Sequence, residues 1–301
     1  MNAIEIKGLK KNFGDKQALK SLNMTVPMGA IYGFIGENGS GKSTTEKIIC
    51  GLIHPNGGQV KLYGRDYRDG DVRAKVGVLI EAPGCFPNYS VWNNMMLQAA
   101  NLSIKNPEKE VQKALKMVRM EGAAGNKYKN CSLGMKQRIG IAMALLGDPA
   151  LLVLDEPLNG LDADGMRIMR EVLTDIIKDG KHTVVVSSHL LGELQKIATH
   201  YGIIRHGKML CEMTAEELDA SCRTYVALQT KDMNRTKSIL GCKYSRVEED
   251  ESGYIRVYDA KEPEEIVTYL YQNGVLVSEI KTDKIGLEEY YIDLMNAKEV
   301  R

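Results

Sequence analysis

Eight residues, Gly36 to Ser43, read G-x-x-x-x-G-K-S within "GFIGENGSGKSTTEKIICGL". They constrain the fold more than any other stretch of the chain. The pattern works only as the turn between a buried strand and the helix after it, because backbone N–H groups must converge on one point at a helix start. The flanks supply both elements: "AIYGF" is a short apolar strand and "KSTTEKIIC" opens a helix. Gly36, Gly39 and Gly41 let the amides turn inward with no Cβ in the way. Asn38, Ser40 and Thr44 complete the loop and its exit. Lys42 would reach the β- and γ-phosphates and Ser43 would ligand Mg²⁺. The competing reading is a glycine-rich turn with a solvated lysine. The cradle predicts a bound nucleoside triphosphate and no more, since kinases, GTPases, helicases and transport ATPases share it.

The surrounding pattern is that of an α/β chain. "AIEIKGL", "LNMTV", "AIYGFIG", "QVKLYG" and "KVGVLIE" alternate with turn residues and predict strands over about the first 80 residues. Helical spacing follows in "SVWNNMMLQAANL" and in "PEKEVQKALKMVRMEG", the latter with Asn106 as cap and Pro107 in the first turn. Strands return in "LLVLDEP" and "HTVVVSSH", each followed by a helix ("DGMRIMREVLTDIIKDG", "LLGELQKIATHYG"). Such alternation predicts a parallel sheet covered on both faces, over residues 1–220, with a helical insertion at about 85–148. After the helix "TAEELDA" the order becomes strand ("TYVALQT"), helix ("MNRTKSIL"), strand ("CKYSRVE"), strand ("YIRVYD"), helix ("PEEIVTYLYQN"), strand ("VLVSEIK"), helix ("GLEEYYIDLMN"). Its first six elements follow the split βαβ arrangement and predict a small α+β domain over 221–301.

Lys plus Arg (40) nearly cancels Asp plus Glu (39), so no global field points to nucleic acid or to an anionic membrane surface. Cys50, Cys85, Cys131, Cys211, Cys222 and Cys242 form no C-x-x-C pair, and the N-terminus "MNAIEIKGLKK" has no apolar signal core. Scattered thiols of this kind predict a reducing, cytosolic setting. No apolar stretch approaches the roughly 20 residues of a membrane helix. Any membrane role is therefore expected to come through another polypeptide.

"LLVLDEP" ends in Asp155-Glu156. A strand buried on both faces delivers its last residues to the ligand edge of a parallel sheet. Asp155 is placed to hold Mg²⁺ through water, and Glu156 to act as general base on the attacking water. Taken alone, the pair reads equally well as two carboxylates capping a strand end. "TVVVSSHLLGEL" delivers His189 from the next strand, as a donor to the γ-phosphate or as an ordinary satisfied polar group. His189 and Glu193 lie four apart, which makes a weak metal pair with no third ligand. In "CSLGMKQRIGIAMALL", Ser132 is a plausible N-cap, and with Gly134 it also presents a hydroxyl and bare amides at an anion-attracting helix start.

Cradle, serine-glycine turn, acidic strand, "NGLD" (Asn159 to Asp162) and histidine, in that order, make the chain resemble the nucleotide-binding subunits of ATP-binding-cassette (ABC) transporters over about residues 1–220. "GENGSGKST" matches the Walker A loop, "LLVLDEP" the Walker B strand, "CSLGMKQ" the signature, "NGLD" the D-loop with Asp162, and His189 the switch histidine. The resemblance implies an ABC-type P-loop NTPase core with an antiparallel β subdomain and the helical insertion. It implies ATP and Mg²⁺ as cofactors. Phe13, in "KKNFGDKQAL", falls where the family stacks an aromatic ring on adenine; a core aromatic is the equal alternative. It also implies that Ser132 and Gly134 face the nucleotide of a partner subunit, with a homodimer permitted. A separate integral membrane permease would then hold the chain at the cytoplasmic face of the cell membrane.

Two departures stand out. Leu133 replaces the signature's first glycine and Met135 its glutamine. Glu81, in "VGVLIEAPGCFPNYS", stands where most relatives have glutamine; it can take Mg²⁺ or accept hydrogen bonds but cannot donate as an amide does. With "IEAPGCFPNYSVWNN" it is similar to the bacitracin-resistance and lantibiotic-immunity subgroup, which implies export of a peptide antibiotic or similar amphipathic compound. In the family this segment contacts the permease, so Phe86, Pro87, Tyr89 and Trp92 either line a groove for it or pack locally. The alternative function is a soluble ABC-type ATPase acting on ribosomes, nucleic acid or cluster assembly.

Overall fold

The computed structural model describes residues 1–221, 224–250, 252–258, 260 and 262–297. Cys222 and positions 223, 251, 259, 261 and 298–301 of the predicted second domain lie outside the described residues. In chain order the first unit, Met1–Ala215, begins with β1 (Asn2–Phe13), β2 (Lys16–Pro27), β3 (Ile31–Ile35), α1 (Lys42–Ile49), β4 (Gly57–Leu62), β5 (Arg65–Asp66), α2 (Gly70–Arg73) and β6 (Val76–Leu79). The helical insertion holds α3 (Val91–Asn101), α4 (Pro107–Met117) and α5 (Leu133–Leu145). Then come β7 (Leu151–Asp155), α6 (Ala163–Ile177), β8 (Thr183–Ser188), α7 (Leu191–Leu194), β9 (His200–Arg205) and β10 (Lys208–Thr214).

Two sheets share this unit. One is antiparallel, in the order β2-β1-β4-β5. The other runs β10-β9-β3-β8-β7-β6, parallel except for the antiparallel β10 edge. β3 and β8 are buried along their whole length, and β7 is buried up to Asp155, which explains their unbroken apolar runs. Leu9, Leu22 and Met24 of the antiparallel sheet, Ile48 and Ile49 of α1, and Leu151, Val153 and Val185 of the parallel sheet join one core. Because β3, β8 and β7 are neighbours, their C-terminal ends deliver the cradle, His189 and the acidic pair to one edge.

Asn106 occupies the cap position of α4 with Pro107 in its first turn, as expected, and its side chain makes no cap hydrogen bond. One local expectation changes. The helix predicted from "LLGELQKIATHYG" shrinks to the four residues of α7.

The second unit, Glu216–Arg301, takes in most of α8 (Ala215–Ser221), then β11 (Thr224–Thr230), α9 (Met233–Gly241), β12 (Val247–Glu249), β13 (Ile255–Val257), α10 (Pro263–Gln272), β14 (Val277–Lys284) and α11 (Leu287–Ala297). Its antiparallel sheet has the order β12-β13-β11-β14. Val226, Leu228, Ile255 and Val257 pack with Leu240, Ile266 and Leu270 of α9 and α10. The strand predicted from "CKYSRVE" begins only at Val247. The amides of Lys243 and Tyr244 still bond to the carbonyl of Leu240, so the last turn of α9 consumes that stretch.

Candidate functional site

α1 starts without a side-chain cap: Gly41, at φ +116°, occupies the N-cap position and leaves the first amides with no side-chain partner there. A Cβ on Gly41 would sit 2.7 Å from Leu19, and one on Gly36 would sit 2.5 Å from the Ile204 carbonyl oxygen, so neither position admits a larger residue without displacement. Ser40 is buried, and its hydroxyl has no hydrogen-bond partner in the protein. An orphaned donor beside bare helix-start amides fits a phosphate group. Lys42 is 6% exposed and donates from Nζ to the carbonyl oxygens of Gly36 (2.5 Å) and Glu37 (3.3 Å). The lysine is therefore folded into the loop, which removes the solvated-lysine reading.

A cleft of about 280 Å³ lies over the cradle. Asn38, Gly39, Gly41, Lys42, Ser43 and Thr44 line it from the loop and α1, Asp155 and Glu156 from the end of β7, and Phe13 from the end of β1. Lys16 and Glu37 line it as well and were not singled out from the sequence. Phe13 is 51% exposed, with the Lys11 ammonium 5.0 Å from its ring centroid, so it is no core residue.

Glu156 has φ +49°, a conformation that side-chain-bearing residues rarely adopt. It is held by its neighbours. Its N–H donates to the Ser187 carbonyl (3.1 Å) and hydroxyl (3.2 Å), and His189 Nδ1 lies 2.8 Å from Glu156 Oε2. A carboxylate oxygen accepts, so Nδ1 carries the proton in this contact; His189 itself is not among the residues that line the cleft. Ser187 in turn donates its hydroxyl proton to Asp155 Oδ1 at 2.7 Å. The double serine of "VVVSSH" was the only sequence hint of this hub.

Beneath the pair lies Glu46, on α1, fully buried, with no partner for either carboxyl oxygen. Burial, and then the charge of Asp155, push its carboxyl up to about 8. In the sequence it looks like a polar position of an exposed helix face.

The other predicted residues lie elsewhere. Ser132 caps α5, accepting from the Met135 N–H at 3.3 Å, and is exposed. Neither it nor Gly134 lines the cleft of its own chain. Asp162 caps α6 through the Gly165 N–H (2.8 Å). Glu81, at φ +66°, is 75% exposed and pairs with Lys47 of α1 at 3.1 Å. The metal pair of His189 and Glu193 dissolves: Glu193 is held by Arg170 and Lys196, and His189 by Glu156. Phe86 and Tyr89 stack on each other, centroids 5.2 Å apart. A neighbouring cleft of about 410 Å³ is lined instead by residues such as Leu52, Arg73, Pro83, Gln98 and Met143.

A family model described as ABC transporter matches residues 19–159. The chain is 33% identical to the bacitracin transport ATP-binding protein BcrA of Bacillus licheniformis, over 97% of each chain. It is 38% identical to the lantibiotic transport ATP-binding protein SrtF of Streptococcus pyogenes, over 72% of this chain and 92% of that one. Among solved structures it resembles the dimeric, post-hydrolysis ATP-binding cassette MJ0796 bound to ADP and Pi, with a TM-score of 0.63 and 25% identity over 70% of this chain and 98% of that one. Among the described residues no helix is long and apolar enough to cross a membrane. With its phosphate cradle, acidic strand end and near full-length relatives, the chain belongs to the ABC transporter family, as an ATP-binding and ATP-hydrolysing subunit.

Proposed function

We propose that this ATPase works as a pair of identical cassettes on an integral membrane permease, and energises export of a peptide antibiotic or similar amphipathic compound from the cytoplasmic face of the membrane. The near full-length similarity to a bacitracin transport subunit supports the substrate class. The same matches do not favour the soluble alternative acting on ribosomes, nucleic acid or cluster assembly. Residues 1–220 are read as the ATPase and 221–301 as an accessory domain.

One observation carries the two-cassette reading: Phe13, the cradle and the acidic pair line one cleft, and Ser132 and Gly134 stay outside it. A signature turn that lies outside its own cleft serves the partner's nucleotide. In this reading Phe13 stacks on adenine, the cradle amides and Ser40 grip phosphate, and Lys42 leaves Gly36 for the β- and γ-oxygens. Ser43 and Asp155 would hold Mg²⁺, which supplies positive charge where the terminal phosphate gathers negative charge. Glu156 accepts the proton of the attacking water, and His189 steadies the γ-phosphate through Nε2.

Cells carrying this chain with its permease are expected to tolerate several-fold more of a bacitracin-like or lantibiotic peptide than cells carrying Lys42→Ala. Growth inhibition measured side by side tests this, and equal sensitivity of the two strains overturns the export reading. Glu81 belongs to the coupling step, with Lys47 balancing its charge while the permease is disengaged. Glu81→Gln is expected to leave ATP affinity within about twofold, since an exposed ion pair contributes roughly 0–1 kcal/mol, while tolerance to the peptide falls. Loss of nucleotide binding in a titration with a fluorescent ATP analogue would show that Glu81 belongs to the binding site instead.

A further inference from the structure

Lys16 is the one cation of the nucleotide cleft that the hydrolysis scheme leaves unused. It is exposed, and among the described residues no ion pair or side-chain hydrogen bond occupies its ammonium. Glu37 lines the same cleft without pairing with it. Lys11, the other cation near Phe13, is committed to the His54 carbonyl oxygen at 2.7 Å.

The position of Lys16 follows from the strands that carry it. Phe13 and Lys16 are the last cross-strand pair of the β1–β2 hairpin, closed by Gly14 and Asp15. Residues directly opposite on paired strands project from the same face of a sheet. The lysine therefore stands beside the ring that would stack on adenine. Ala18, two residues further along β2, lines the cleft as well. Its carbonyl abuts the cradle, since a Cβ on Gly41 would sit 3.1 Å from the Ala18 oxygen. Two residues of strand span about 6–7 Å, a distance that the four-carbon stem of a lysine bridges. Lys16 thus occupies the gap between the aromatic shelf and the helix start.

A nucleotide laid from Phe13 to the cradle puts its α-phosphate in that gap, because the α-phosphate joins the nucleoside to the rest. Lys42 and Mg²⁺ serve the β- and γ-phosphates. The α-phosphate meets backbone amides and is left without a cation.

We propose that Lys16 is a nucleotide-binding residue whose ammonium pairs with the α-phosphate. Hydrolysis does not alter the α-phosphate, so this contact is the same in bound ATP, in the transition state and in bound ADP. It is uniform binding, which lowers KM without raising kcat.

The test compares Lys16→Gln and Lys16→Arg with wild type in the full chain. Affinities for ATP and ADP are read by competition against a fluorescent ATP analogue, and KM and kcat from phosphate release. Lys16→Gln is expected to bind ATP and ADP about fivefold more weakly, the upper end for an exposed ion pair. Its KM rises by the same factor, and its kcat stays within about twofold. Lys16→Arg keeps the charge and is expected within about twofold of wild type throughout. Added salt should narrow the gap between Lys16→Gln and wild type, because the contact is exposed to screening. Wild-type affinities in Lys16→Gln would make Lys16 an ordinary solvated side chain. A loss for ATP but not for ADP would move the contact to the γ-phosphate, and an arginine variant as weak as glutamine would show that charge is not what counts. Either result overturns the assignment, as does a fall in kcat that matches the rise in KM. The inference rests on the proposed placement of nucleotide in this cleft, but the two fail separately. Unchanged ATP affinity in Lys42→Ala would sink that placement whatever Lys16 does, and a Lys16 failure leaves it standing.

Discussion

Glu156→Gln is expected to bind ATP as tightly as the wild type, to lock two chains together around it, and to hydrolyse about 10³-fold more slowly. The size follows from the role, because removing a positioned general base costs roughly 10²–10⁴ in rate. Glutamine has the same length and can still meet His189, whose Nδ1 lies 2.8 Å from Glu156 Oε2. It also keeps the backbone N–H that bonds Ser187. What it lacks is a basic oxygen to take the proton of water. Removing one negative charge beside a triphosphate does not weaken nucleotide binding, so the clamped state outlives that of the wild type. Phosphate release and light scattering with ATP and Mg²⁺ measure the two halves. Near-normal turnover would refute the general-base role. A variant that binds ATP yet stays a monomer at high concentration would refute the shared site.

The legible parts of this protein are those in which neighbours in sequence are also neighbours in space. The cradle is one such part. Gly36 to Ser43 is a single turn, and its residue types follow from local needs: amides turned inward, no Cβ near the Ile204 carbonyl, an uncapped helix start. The strand ends are another, since an apolar run on a parallel sheet fixes where Asp155 and His189 arrive. Ser187 was not legible, because its task depends on the register that sets Asp155 opposite it on the adjoining strand. Lys47 was not either, since its partner Glu81 is 34 residues away. "CKYSRVE" failed for the opposite reason: local preference pointed to a strand, and the closing turn of α9 took the first residues of the stretch instead.

Glu46 illustrates the same limit, and its burial has a thermodynamic signature. Its carboxyl rises from an ordinary value near 4.5 to about 8 in the folded protein. Between those two pH values the native state holds a proton that the unfolded chain has released. Stability contributed by this group therefore falls as pH climbs from 4.5 to about 8, and is level outside that window. At pH 7 the cost is about 3 kcal/mol, from roughly 1.4 kcal/mol per pH unit across the gap. Glu46→Met removes the ionisable group and keeps the volume. In metal- and nucleotide-free buffer it is expected to be about 3 kcal/mol more stable than wild type at pH 7, a rise in Tm of about 5–10 °C. At pH 4.5 the two should nearly coincide. Melting both proteins across this range checks the slope, and a gap that stays constant with pH would mean Glu46 is not a buried acid.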